Sequence, residues 1–190
     1  MTNCRKKFVW KVVLLLTLPV VFGGCWTYID KEARQKFEAR QERFSVTVYP
    51  VNVVKGPATE SDEALARRVV AFLRQENLAD SVLGEAPMDI PFKWGANEAK
   101  MAQQSATAFA SRIEKARIET EYALFAEILC DEGETKVLGV HYYLADRAGL
   151  LANGGLTNSH WDEFKEVQPR DRGGGYEVLV RMLRKSWKKG

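Results

Sequence analysis

Hydrophobic positions along this chain change period several times, and each change marks an expected element. Val46 to Val54 is β-branched and aromatic, which predicts a strand. Pro50 has no N–H to give to a ladder, so it forces that strand to an edge or a bulge. Gly56-Pro57 ends it. Thr59 or Ser61 can then cap a helix over residues 62–77, where Leu65, Val69, Phe72 and Leu73 recur at i, i+4, i+7 and i+8. Ala79 to Leu83 reads as a short second strand. Pro87, Pro91 and Gly95 mark an irregular connection over 85–96 that carries Phe92 and Trp94.

A second helix is expected over 97–116, with Ala102, Ala106, Phe109, Ile113 and Ala116 along one face. The period then falls to two. Residues 120–130 place Tyr122, Leu124, Ala126, Ile128 and Cys130 on one side of a strand. Turns at 131–134 and 146–149 separate it from strands over 136–145 and 150–157, which makes a meander. Gly154-Gly155 inside the last strand signals a bulge or a close backbone approach. Tyr176 to Lys189 closes the chain as a helix. The pattern predicts an α/β (α+β) fold: a mixed sheet of about five strands in the order β-α-β-α-β-β-β-α, with the helices packed on the sheet.

Residues 26–44 read differently. Asp30 to Phe44 is rich in helix formers of alternating charge, and Phe37 and Phe44 are its only large apolar residues. A solvated, partly helical tether is expected, with Phe37 and Phe44 able to dock on the domain or on a partner.

Upstream, Arg5, Lys6, Lys7 and Lys11 precede an apolar run from Val12 to Phe22 that only Thr17 and Pro19 interrupt. That run is below the roughly 18–20 residues that span a hydrocarbon core, so it reads as a signal peptide. Phe22-Gly23-Gly24-Cys25 resembles the lipobox of bacterial lipoproteins, with Phe22 where a branched aliphatic residue is usual. The resemblance implies cleavage before Cys25 and acylation of its thiol and freed amine. Several chains anchor stably where one would not, since each buried methylene contributes about 0.8 kcal/mol. It also implies, through Trp26 rather than Asp after the cysteine, an outer-membrane destination on the periplasmic face in a two-membraned cell. The alternative is an uncleaved anchor with Trp26 and Tyr28 at the interface. The layout expected is a signal peptide over 1–24, a lipidated cysteine and tether over 25–44, and one α/β domain over 45–190.

The leader alters how the charge is read. The chain has 28 basic and 25 acidic residues, and four of the basic ones and none of the acidic ones lie before Cys25. What remains is 24 against 25, so a nucleic-acid partner loses its electrostatic basis. Of three cysteines, Cys4 lies in the leader and Cys25 is the expected lipid site. Cys130 is then left without a disulfide partner and reads as a small buried residue on a strand.

Four stretches carry candidate chemistry. Asn158, Ser159, His160 and Trp161 could form a binding surface or, with histidine as base, an acid–base site. The plainer reading is a turn whose polar groups cap backbone amides and whose indole packs on the core. His141 and His160 could share a metal with Asp146, Asp162 or Glu163, but no ligand spacing such as HExxH supports it. No metal site, catalytic residue or cofactor is therefore assigned. Arg170 to Gly175 could receive an anion ahead of a helix, and otherwise is a flexible lead-in loop. Arg184, Lys185, Lys188 and Lys189 around Trp187 could touch an anionic surface, and otherwise are a solvated helix end.

The element order over roughly 44–188 is similar to the small α/β domains of envelope lipoproteins: the N-terminal domain of TolB-type proteins, the lipoprotein activators of penicillin-binding proteins and the curli-type secretion lipoproteins. No functional residue transfers through it. The resemblance implies a membrane-anchored, non-enzymatic module that binds another envelope protein. Two alternatives remain: a lipid-anchored hydrolase or ligand-binding domain using the His160 region, and a homo-oligomeric secretion or pore component.

Overall fold

A computed structural model describes residues 28–95 and 97–188; the leader and Cys25 lie outside the described residues. The elements run α1 (Lys31–Ala39), β1 (Phe44–Val48), β2 (Val51–Lys55), β3 (Ala58–Asp62), α2 (Glu63–Gln75), β4 (Ala79–Leu83), α3 (Glu98–Ala116), β5 (Tyr122–Cys130), β6 (Val137–Asp146), β7 (Leu151–Asn158), α4 (Asp162–Val167) and α5 (Arg172–Trp187). The fold is mixed α/β. Among the described residues no helix is long and apolar enough to cross a membrane.

The sheet has seven strands rather than about five, and Pro50 is half of the reason. β1 and β2 both run parallel along β5, with Val46 opposite Tyr122 and Asn52 opposite Glu127. They form one path divided at Pro50, and the Tyr49 N–H still reaches Leu124 O at 2.9 Å. Beyond the divide the outer neighbour changes. β4 lies parallel beside β1, and β3 lies antiparallel beside β2. Gly56, at φ +54°, turns the chain back to make β3, whose Ala-Thr-Glu-Ser-Asp, exposed except at Asp62, carries no large apolar residue. On the other side of β5 the expected meander is present, with β6 and β7 antiparallel in sequence order.

Helices cover both faces. Leu124, Ala126 and Ile128 of β5 face a core shared with α1, α2, α4 and α5, while Ala123 and Phe125 face α3. This explains why every residue of β5 is buried, as expected for a central strand covered on both sides. α2 starts one residue later than expected, because Asp62 rather than Thr59 or Ser61 caps it, accepting from Leu65 N at 2.9 Å.

Two expectations are corrected in the helices. The charged stretch after residue 29 is a docked helix, not a solvated tether. Asp30 caps α1, Ala33 and Phe37 are buried, and the Phe37 ring meets Phe44 and Tyr122 edge-on at 5.4 Å. Arg40 lies 3.5 Å over the Phe37 ring. The glycines 173–175 are not a lead-in loop but the first turn of α5, capped by Asp171 accepting from Gly174 N. Gly175 is required there by packing: a Cβ on it would sit 2.5 Å from Cγ2 of Ile128. Gly155 likewise admits the Tyr142 ring, so the close approach expected at Gly154-Gly155 holds. The register shift between β6 and β7 falls instead at Leu144/Ala145.

Candidate functional site

Under α3 the sheet buries a polar cluster that the sequence did not signal as a group. Glu127 of β5 and His141 and Tyr143 of β6 lie opposite or adjacent in the ladder, and all are fully buried. Glu98, in the first turn of α3, comes down onto them. His141 Nε2 is 3.2 Å from Glu98 Oε1, and Nδ1 is 3.6 Å from Glu127 Oε2. The Tyr143 hydroxyl donates to Glu127 Oε2 at 3.1 Å and lies 3.3 Å from His141 Nδ1. Gly139 makes room for this, since a Cβ there would be 2.8 Å from Glu98 Oε1.

Burial opposes charge on the His141 ring, yet the Glu127 and Glu98 carboxylates outweigh it and hold the imidazole above its usual range. Burial pushes Glu98 up, but hydrogen bonds from His141 and Asn158 leave it below the ordinary carboxylate range. Burial, first, and then Glu127 hold the Tyr143 phenol far above its normal value, so it stays a donor. The cluster is closed: three of its four side chains have no surface. The signal was available in Glu127, an acid inside an otherwise unbroken apolar strand.

The sheet end beside this cluster is open. β2 and β5 finish there, β6 begins, β7 finishes, and α3 and α5 start. Among the described residues, three of the five exposed large apolar side chains gather at it: Trp94 (43% exposed), Leu138 (38%) and Trp161 (49%). Trp94, Leu138, Pro57 and Cys130 line a shallow groove of about 540 Å³ together with Asp131 and Glu132. The Trp94 indole is held in place by donating its N–H to Gly56 O and by edge contact with Phe92 at 5.0 Å. Cys130 lies below, buried, its thiol pushed up to about 11 by burial and then by Glu134, which leaves it no thiolate near neutral pH.

The predicted surface Asn158, Ser159, His160 and Trp161 divides here. Asn158, opposite Gly139, donates to Glu98 and accepts from His160 N at 3.0 Å, making the expected amide-capping turn. Ser159 and His160 stand exposed on that turn. Trp161 is a correction: its indole is half exposed rather than packed on the core, and its residue opens α4, a helix the sequence reading missed. Glu98 and Glu127 take both nitrogens of His141. Among the described residues no three His, Cys, Asp or Glu side chains are placed to hold a metal.

The two basic stretches are also accounted for. Arg172 donates to Glu60, Asp62 and Glu134, with Lys55 completing the network, so its guanidinium is spent on carboxylates and not offered to an anion. Arg184 and Lys185 pair with Glu76 and Glu163, and Trp187 is buried against Phe44 and Phe37. Lys189 lies outside the described residues.

No family model matches the chain. No curated protein matches it either. Among solved structures, it is similar to the C-terminal domain of LpoB from Salmonella enterica, at 12% identity and a TM-score of 0.34, over 70% of this chain and 96% of that one.

Proposed function

We propose that this protein is a lipid-anchored module of a bacterial envelope that engages another envelope protein through the end of the sheet carrying Trp94, Leu138 and Trp161. The observation that carries the reading is the gathering of these exposed apolar side chains at one end, where Trp94 and Leu138 border a groove. Aromatic anchors of this kind dominate protein interfaces. The anchor itself rests on the leader and on Cys25. Binding rather than catalysis fits the chemistry present: His141, Glu127 and Tyr143 are fully buried, and the Cys130 thiol is held protonated.

The test places a photo-crosslinking residue at 94, 138, 161 or 150 in intact cells. Leu150 is an exposed control at the opposite end, in the turn between β6 and β7. One common crosslinked species from 94 and 161, absent from 150, is expected. No species from 94, 138 or 161, or the same species from 150, would overturn the surface. For the anchor, an acyl-chain probe should label the wild type and not Cys25→Ala.

A further inference from the structure

We infer that Glu98, His141 and Glu127 form a proton-operated latch that sets the shape of this sheet end; the inference rests on the binding surface proposed above and names its regulation. The geometry is a bridge between three elements. Glu98 belongs to the turn that starts α3, His141 to β6 and Glu127 to β5. The segment 85–95 lies just upstream of Glu98 in the chain and brings Phe92 to 6.3 Å from the His141 ring, with Trp94 in edge contact with Phe92. Whatever holds Glu98 therefore holds the segment that builds one wall of the groove.

The latch closes with a proton on His141. An imidazolium has two N–H donors for two carboxylates; a neutral ring has one. Glu127 depends on this most, since among the described residues its Oε1 is buried without a hydrogen-bond partner and its Oε2 meets Tyr143 and His141. Once the ring loses its proton, two acids face each other across a neutral group that can donate to only one of them, and the more exposed one, Glu98, keeps its hydrogen bond from Asn158 but loses the charged partner that ties it to the sheet. Every group facing the ring takes part in this balance: Glu98 from α3, Glu127 from β5, Tyr143 from β6, Tyr28 ahead of α1 against Tyr143, and His160 acting on Glu98 from the turn after β7.

The sign follows from the raised His141 value. The bridge contributes fully below about 6.5, the usual histidine value, and is lost as pH rises through the higher value of the folded protein. At the acid end, the lowered Glu98 value means its share is present above about 4.5 and is lost as pH falls below that.

Hydrogen exchange of the full chain, corrected for intrinsic rate, tests this alongside the Nε2 and Nδ1 shifts of His141. Amides of residues 98–102 should lose protection roughly tenfold as His141 deprotonates, while β5 amides and far-UV circular dichroism stay constant. Glu98→Gln keeps the shape but removes one carboxylate, and should lower the His141 midpoint on the order of one pH unit. His141→Gln disturbs the core more, so the wild-type titration and Glu98→Gln carry the test. An unchanged midpoint in Glu98→Gln, or uniform protection across the titration, overturns the latch. Crosslinking from residue 94 separates the two readings: crosslinks that ignore pH sink the latch alone, and a titration without crosslinks sinks the surface alone.

Discussion

Arg74 of α2 donates its Nε to the carbonyl oxygen of Ser81 in β4 at 2.9 Å, and a second guanidinium nitrogen reaches the same oxygen. Among the described residues β4 pairs with β1 alone, so its other side is an edge. Arg43 does the same for Ala79 O at 3.0 Å while pairing with Asp80. Two guanidinium groups thus occupy carbonyls that a second chain could otherwise use. Replacing both with alanine should promote self-association: light scattering should show a concentration-dependent rise in mass, with the wild type unchanged. Equal mass for both proteins would show that the edge needs no guard.

Arg172 gathers three carboxylates, and its loss leaves Glu60, Asp62 and Glu134 facing one another. Arg172→Leu should cost on the order of 1–2 kcal/mol, kept modest because the side chains reach solvent, and urea midpoints should converge with wild type at high salt. Hydrogen bonds from Arg172 and then Lys55 hold Glu60 down to about 2. Its contribution is therefore complete above about 4.5 and declines between about 4.5 and 2 as pH falls. Acid titration of thermal stability should show the Arg172→Leu curve flatter than wild type across that range.

The glycines of α5 are not equivalent. Gly175→Ala drives a Cβ into Ile128 and should destabilise by about 1–3 kcal/mol. Gly173→Ala meets only the Asp171 carboxylate at 3.2 Å and should fall within about 1 kcal/mol of wild type, because helix propensity offsets the contact. Chemical unfolding of the two variants decides it; equal losses would contradict the packing argument.

Phe37 tests the docking of α1. Its ring is sealed among Phe44, Tyr122 and Trp187, so Phe37→Ala should cost about 3–5 kcal/mol by urea unfolding. A loss under about 1 kcal/mol would return α1 to the role of a loose tether.

How much of this was legible follows local physics. The periodicity of Leu65, Val69, Phe72 and Leu73 located α2, and the period-two runs located the meander, because both are patterns one element imposes on itself. β3 was not legible: four of its five residues are exposed and none is a large apolar side chain, and only pairing with β2 makes them a strand. α1 was legible as helical but not as docked, since two aromatic residues seven apart could meet the domain or a partner, and only Trp187 and Tyr122 around them decide it. The candidate site shows both limits. Asn158 and its turn were readable from residue types, whereas Glu98, Glu127 and His141 are 43 and 14 residues from one another in the pairs that matter, and only the β5–β6 register and the placement of α3 join them.

The docking of α1 also fixes a length. Cys25 and Tyr28 are three residues apart, and Tyr28 already packs against Tyr143. Fully extended, that span covers about 10 Å. With an acylated Cys25 the domain would be leashed close to the lipid headgroups, unable to sample the depth of the periplasm. Its partner would then have to come to the membrane surface, and a long flexible insertion between residues 25 and 28 would change which proteins it can meet without altering a single contact in the fold.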